Sequence, residues 1–202
     1  MKAVNPLRIA VQSHGRLSEP SLEYLRSLGL KFKTNGRALI TPCDNFSLDI
    51  LHLRDDDIPE YVSREVADFG IVGENVLYEK NSRVNIIKRL GFGFCSLVIG
   101  VPDDSSIQEV ADLEGERIAT SYPRILSEYL KEKGVNAAII PIEGSVEIAP
   151  SLNLADAICD LTQTGKTLKE NHLVSLVTIL QSQAVLIESP VSRGEKKEFI
   201  LL

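Results

Sequence analysis

The sequence predicts an α/β fold with mainly parallel sheets. Three observations lead there. Apolar runs of strand length alternate with amphipathic stretches of helical period along the whole chain. Glycine and proline fall between these runs, where a chain must turn. The composition, 44% hydrophobic and 25% charged over 202 residues, is that of a globular protein with a sizeable core.

Leu7-Arg8-Ile9-Ala10-Val11 reads as the first strand, with Gly15 as the turn behind it. A helix is predicted from about Glu19, with Pro20 in its first turn, Leu22, Leu25 and Leu28 at helical spacing, and Gly29 as its stop. Ala38–Thr41 and Leu48–Leu53 read as strands that pair. Asp57 and Glu60 have capping-box spacing around Pro59, which predicts a helix to about Val66. Phe69–Gly73 is a short apolar run bounded by glycines, and a helix from about Glu74 follows it. Further on, Cys95–Val101 and Arg117–Thr120 are strands, and a helix from about Arg124 stops at Gly134. Ala138–Ile140 is a strand whose Pro141 places its end at an edge. Ala155–Leu161 feeds a polar loop containing Gly165. Val174–Leu180 and Ala184–Ile187 are the last strands, and Glu195–Leu202 reads as helical.

No short-period repeat and no Gly/Ser linker interrupts the chain. The expected division is into two lobes, residues 1–98 with 181–202 and residues 99–180. The chain would cross within Leu97–Val101 and return near Leu180. A cleft between lobes is where a ligand would bind.

Composition excludes several functions. With 22 Lys and Arg against 28 Asp and Glu, the formal charge is −6, which disfavours a general polyanion binder. Aromatics are 5% and tryptophan is absent, so a base-stacking nucleic-acid surface is not expected. A small phosphorylated ligand remains open, because a few backbone N–H groups and one or two arginines hold it. The three cysteines, Cys43, Cys95 and Cys159, are odd in number, widely spaced and without a CxxC pair. Met1–Arg16 has no long apolar core of a secretory signal, and no run reaches the length of a membrane span. These features predict a cytoplasmic protein. His14, His52 and His172 show no metal-ligand spacing.

Four stretches can carry chemistry. Asp160-Leu161-Thr162-Gln163-Thr164-Gly165-Lys166-Thr167-Leu168 runs from an apolar strand into a helical start. Gly165 lets successive N–H groups turn toward one point and the threonines add donors, which makes a phosphate cradle. It is not a Walker A loop, since Asp160 stands where that motif needs glycine. Asp156 and Asp160 are placed for a sugar hydroxyl or a metal. The plainer reading is a strand–helix turn. Gln12-Ser13-His14-Gly15-Arg16 follows the first strand, where α/β sheets place ligand loops. Arg16 offers a fork for phosphate or pyrophosphate, or is a surface arginine; Arg37, after Gly36, has the same two readings. Glu147, in Gly144–Pro150, either accepts hydrogen bonds from ribose hydroxyls or is a solvated glutamate. In Ala67–Asn75, Gly70 and Gly73 bracket a strand–helix junction suited to a flat ring or a phosphate. The acidic run Asp55-Asp56-Asp57 attracts magnesium or simply begins a solvated helix.

Together these stretches are recognisable. Arg8–Gln12 with Gly15-Arg16-Leu17, Arg54–Pro59, Ala67–Leu77, Arg117–Pro123, Gly144–Glu147 and Ala155–Asp160 through Gly165–Leu168 resemble, in collinear order, the ATP phosphoribosyltransferase family, which opens histidine biosynthesis. The resemblance implies the two-lobed fold of type II periplasmic binding proteins, with central mixed sheets flanked by helices and a cleft between the lobes. It implies transfer of phosphoribosyl from phosphoribosyl pyrophosphate (PRPP) to N1 of ATP, with release of pyrophosphate. It assigns Arg16 and Arg37 to the leaving group as catalytic residues. It assigns Asp160, Thr162, Gln163, Thr164, Gly165, Lys166 and Thr167 to PRPP, with Glu147 and Asp156 near its ribose. Ser13, His14, Gly15, Asp68, Gly70, Gly73 and Asn75 fall on the ATP side. Mg2+ is the implied cofactor, held mainly by substrate phosphates. A homo-oligomer, dimer or hexamer, is implied, and no nucleic-acid or membrane partner.

Two features depart from the family pattern. The family usually carries a lysine in the loop before Gly15-Arg16, where Ser13 and His14 stand here. The local phrases resemble the long form, yet the sequence stops at Leu202, near where that form continues into a histidine-binding regulatory domain. The expectation is therefore either part of a longer chain, or a short chain working with a regulatory subunit resembling histidyl-tRNA synthetase. The missing lysine motivates an alternative, a non-catalytic nucleotide- or PRPP-binding paralogue or an inactive core.

Overall fold

The computed structural model describes residues 6–35 and 38–190. In chain order its first half holds β1 (Leu7–Gln12), α1 (Ser18–Ser27), β2 (Ile40–Pro42), β3 (Leu48–Leu53), α2 (Ile58–Ser63), β4 (Phe69–Gly73), α3 (Glu74–Lys80) and β5 (Asn85–Arg89). There follow β6 (Cys95–Pro102), β7 (Arg117–Thr120), α4 (Pro123–Lys133), β8 (Ala138–Pro141), β9 (Ala157–Thr162), α5 (Lys166–Glu170), β10 (Leu173–Ser182) and β11 (Ala184–Glu188). Short 3₁₀ turns fill some of the connections, among them Asp55–Asp57 and Val146–Ile148. The chain divides into two units. One runs to Gly93 and resumes at Gln183; the other is Phe94–Ser182.

The first unit is a six-stranded sheet in the order β2-β3-β1-β4-β11-β5. β4 is buried along its whole length, because helices cover both faces of the sheet. On one face Leu22 and Leu25 of α1 meet Ile9, Val11, Ile50, Phe69 and Ile71. On the other, Ile58 and Val62 of α2 and Val76 and Leu77 of α3 meet Ala10, Leu51, Val72 and Val185. A six-residue helix such as α2 has little stability of its own. It is held by Ile58 and Val62, both fully buried, lying over Gly70. A Cβ at Gly70 would stand 2.7 Å from Ile58 Cγ2, so the bare backbone is what lets the helix approach.

The second unit is a five-stranded sheet in the order β10-β6-β9-β7-β8. Its core gathers Leu97, Ile99, Leu113, Ile118, Leu126 and Cys159 on one face, and Val98, Ala119, Val146, Ile158 and Leu168 on the other. Five of its strand positions correspond to those of the first in order and direction, although the strand beside β9 is the unit's first, β6, and the strand beside β4 is the last, β11. β8, β7 and β9 run parallel as β3, β1 and β4 do, and two antiparallel strands complete each sheet on the β9 or β4 side.

Several expectations are corrected. The sheets are mixed, as the resemblance implies, and not mainly parallel as the strand–helix alternation predicts: β6, β10, β11, β5 and β2 all enter antiparallel pairs. Alternation of strand and helix signals a parallel pair only where the helix crosses back between two neighbouring strands, and these strands are reached by other connections. The capping box at Asp57 does not form, since its side chain makes no cap hydrogen bond, and α2 stops at Ser63 rather than Val66. A reciprocal box does form at Glu109 and Asp112. β5 is a largely exposed edge strand whose polar-flanked sequence hid it. β6 belongs wholly to the second unit, pairing with β10 from Cys95 onward, so the crossing lies before it and not within Leu97–Val101. The helix expected at Glu195–Leu202 lies outside the described residues. Among the described residues no helix is long and apolar enough to cross a membrane.

Candidate functional site

Each unit presents its loops at the carboxyl ends of its parallel strands. In the first unit, β1 ends at Gln12 and the chain turns through Ser13-His14-Gly15-Arg16 into α1. The Ser13 N–H donates to Leu53 O at 2.7 Å, which fastens the turn to the end of β3. Gly15 takes φ +114° directly over the Gln12 amide, where a Cβ would lie 2.7 Å from Nε2. The Gln12 Oε1 in turn accepts the Leu17 N–H at 2.9 Å, so the loop is shaped from beneath by one side chain. Arg16 is exposed and makes no ion pair with the described residues. Asp55, in the turn after β3, feels its charge. Burial, then the neighbouring Asp56, pushes the Asp55 carboxyl up, and Arg16 partly offsets them. Gly73 and Asn75 reach the same edge at the end of β4, Asn75 being buried at the start of α3.

Two groups here escaped the sequence reading. His52 on β3 sets its Nε2 3.0 Å from Thr41 Oγ1; a lone histidine in an apolar strand was the available signal. Glu74, almost fully buried, accepts from Arg89 Nη2 at 2.7 Å and Nε at 3.1 Å. That pair joins α3 to β5, which sequence spacing alone does not reveal.

In the second unit, β9 ends in the loop Thr162–Gly165. Gly165 takes φ +72° and caps α5, and the Thr162 Oγ1 accepts the Gly165 N–H at 2.9 Å. Thr164 Oγ1 lies 3.4 Å from the Lys166 N, and the Gln163 Nε2 donates to Phe94 O at 3.2 Å. Lys166 and Thr167 are exposed on the first turn of α5. Asp160 and Thr162 share the face of β9 that bears Ile158. Glu147 is half-buried in the 3₁₀ turn after β8, and its carboxylate makes no hydrogen bond or ion pair with the described residues. Ser145 before it holds φ 50°, a strained value for a residue with a Cβ. Across the same edge, Thr120 Oγ1 donates to Cys159 O at 2.7 Å and accepts the Tyr122 N–H at 2.8 Å.

The remaining predicted residues stand elsewhere. Asp68 precedes β4 at the opposite end of the sheet, where its Oδ2 accepts the Arg8 N–H at 2.7 Å. Asp156 precedes β9 in the same way, its carboxylate taking the Arg117 N–H at 2.9 Å and the guanidinium at 2.9 and 2.7 Å. Those bonds hold the Asp156 carboxyl down to about 2, well below the usual carboxylate range. Both aspartates are strand-start clamps, a strand length from the loops. Gly70 is buried mid-strand beneath α2. Arg37 lies outside the described residues. Among the described residues no group of three His, Cys, Asp or Glu gathers that could hold a metal ion.

Comparison with known proteins identifies relatives. The family model described as HisG, ATP phosphoribosyltransferase, matches residues 54–201. A relative from Cytophaga hutchinsonii, named ATP phosphoribosyltransferase, is 47% identical over 194 residues, which are 96% of this chain and 68% of the relative. Among solved structures, an ATP phosphoribosyl transferase (HisG:HisZ) complex from Thermotoga maritima contains a chain 33% identical to this one, with TM-score 0.82 over 96% of this chain and 93% of that one. The periplasmic aliphatic sulphonate binding protein SsuA from Escherichia coli, 15% identical, shares the fold with TM-score 0.65 over 98% of this chain and 70% of its own.

Proposed function

The chain belongs to the ATP phosphoribosyltransferase family, and from that premise we propose how its two units divide the reaction. Its function is the family's: the phosphoribosyl group of PRPP passes to N1 of ATP, and pyrophosphate leaves, in the first step of histidine biosynthesis. The family match carries this assignment, and it favours the transferase over a non-catalytic paralogue. The division of labour is our reading of the two strand edges.

The second unit takes PRPP. Gly165 and the threonine hydroxyls around it form the seat of the 5′-phosphate, with Gln163 and Lys166 on its rim and Thr167 on the first turn of α5. Glu147, whose carboxylate is unengaged among the described residues, accepts from the ribose hydroxyls, and Asp160 lies on the strand that feeds the seat. The first unit takes the nucleotide and the leaving group. Among the described residues Arg16 has no competing carboxylate within ion-pair distance, so its fork is available to pyrophosphate. Ser13, His14, Gly15, Gly73 and Asn75 line the nucleotide side, and Arg37 is assigned to the leaving group by resemblance.

The chemistry asks little of protein acids and bases. Adenine N1 already carries its lone pair, so no protein nucleophile is required. Negative charge grows on pyrophosphate as the anomeric bond breaks, and a guanidinium there binds the transition state more strongly than the ground state. Magnesium, when bound, would neutralise polyphosphate charge. We place it mainly on the substrate phosphates.

Two further readings follow from the family. The Thermotoga maritima chain was solved in a complex with a second protein, and we propose that this chain likewise works in an oligomer with a HisZ-like regulatory subunit, in the cytoplasm. The test is direct. Purified chain with magnesium, ATP and PRPP, with and without such a subunit, is expected to give phosphoribosyl-ATP and pyrophosphate by mass spectrometry. No product under either condition would overturn the assignment.

A further inference from the structure

The edge of the first sheet carries two imidazoles, and the reading above gives their protonation no part: His14 only lines the nucleotide side and His52 has no role. His14 is exposed in the turn after β1, with its Nδ1 3.2 Å from Ser13 Oγ. His52 stands on the neighbouring strand, opposite Val11 in the β1–β3 register, with its Nε2 on the buried Thr41 hydroxyl. The Ser13 N–H to Leu53 O bond holds the His14 turn against the end of His52's strand. Arg16 is two residues beyond His14 and makes no ion pair with the described residues.

We propose that His14 and His52 act with Arg16 as one proton-linked anion site, in which a pyrophosphate-class ligand draws a proton from solvent onto the imidazole pair as it binds. The proposal rests on the reading of this edge as the leaving-group side.

The charge census supports it. The turn after β1 supplies His14 and Arg16. The turn after β3 supplies Arg54, Asp55, Asp56 and Asp57, of which Asp56 faces Lys80 at 3.8 Å. The first turn of α1 supplies Glu19, which Arg26 engages at 2.8 Å, and β2 supplies only the neutral Thr41 hydroxyl. Burial, and then the charge of His14, hold His52 below the ordinary imidazole range. An anion with two or more charges within about 4–6 Å reverses that balance, because opposite charge at such range raises an imidazole's pKa by roughly 1–3 units. Arg16 is charged throughout and contributes no pH dependence. The pair therefore adds a variable charge to a fixed one where negative charge accumulates.

Calorimetry with inorganic pyrophosphate, from pH 8 to pH 6 in buffers of different ionisation enthalpy, tests it. The unaltered chain is expected to take up protons on binding, and to gain about tenfold more affinity across that range than His14→Asn does, one pKa unit being one decade. Pyrophosphate's own protonation is common to both chains and cancels. His52→Gln, which keeps a partner for Thr41, is expected to lose part of the same gain. An NMR titration of the unaltered chain removes dependence on variants. There are three histidines, and His172 is the internal control, because it sits at the start of β10, at the end of the second sheet away from Thr162–Gly165. Pyrophosphate is expected to raise the midpoints of His14 and His52 and leave His172 in place. Equal pH slopes in all chains with unmoved midpoints would overturn the proposal and leave the leaving-group reading standing. Failure of pyrophosphate to bind at any pH would overturn both.

Discussion

Asp156 receives three hydrogen bonds from Arg117, one from its backbone N–H and two from its guanidinium, where β7 and β9 begin. Arg117 Nη1 also donates to Asn153 O at 2.9 Å, so one arginine pins the whole entry to β9. Asp68 accepts the Arg8 N–H at the corresponding point of the first sheet. An Ala-Asp pair, Ala67-Asp68 and Ala155-Asp156, opens the central parallel strand of each unit, with both alanines buried. The clamp is thus a device of the fold used twice, and it predicts stability effects without loss of ligand binding.

Asp156→Ala is expected to destabilise the chain by roughly 1–2 kcal/mol, the lower end of the range for charge-assisted bonds because the pair is partly exposed. PRPP affinity should stay within twofold. A large loss of PRPP affinity at unchanged stability would return Asp156 to the ligand site.

The same clamp has an acid signature. The folded carboxyl, at about 2, lies below the ordinary aspartate value, so its contribution is complete above the ordinary value and disappears as pH falls through about 2. Urea midpoints of the unaltered chain and Asp156→Asn should differ at pH 5 and converge as the pH approaches 2. A difference that persists at pH 2 would assign the effect to packing.

Gly70 gives the contrasting case of a glycine placed for packing. Adding a Cβ forces Ile58 or Val62 aside, at 2.7 and 3.0 Å, and these are two of the three buried residues of α2. Gly70→Ala is expected to cost about 1–3 kcal/mol by overpacking, read as a lower thermal midpoint, with ATP affinity of the folded fraction retained. Retained stability with lost ATP affinity would place Gly70 at the ligand after all.

These examples show what the sequence made legible. Strand and helix order could be read because each apolar run is bounded by a turn residue: Gly29 after α1, Gly134 after α4, Pro141 at the end of β8. The loops at Gly15 and Gly165 could be read because a glycine there has a backbone reason, φ +114° and +72°. Asp68 and Asp156 misled because an aspartate beside a strand looks alike at either end; only the register of Ile9 with Phe69 and of Ile118 with Ala157 shows which edge it occupies. The Glu74–Arg89 pair and the His52–Thr41 contact were hidden because each spans two elements whose adjacency is a property of the sheet order.

Thr162 shapes the phosphate seat from within. Its Oγ1 takes the Gly165 N–H and holds the turn in the left-handed conformation that opens α5. Thr162→Val keeps the volume and removes the acceptor. PRPP affinity is expected to fall roughly tenfold, the value of one net hydrogen bond, while ATP affinity is unchanged. Equal weakening of both substrates would show that the loop does not distinguish them.

Arg16 separates binding from chemistry. It is exposed, unpaired among the described residues, and set on a turn fixed by Ser13 and Gln12, so removing it should leave the loop intact. If its guanidinium meets pyrophosphate chiefly as charge develops, Arg16→Ala should lower kcat by about 10²-fold, the scale of losing one preorganised donor at a site of growing charge. The KM for ATP should move little, because uniform binding is not what is lost. Single-turnover rates measured at saturating ATP and PRPP isolate the chemical step from product release. A variant that raises the KM for ATP and keeps kcat would move Arg16 from the leaving group to the nucleotide, and would remove the fixed charge on which the His14–His52 pair depends.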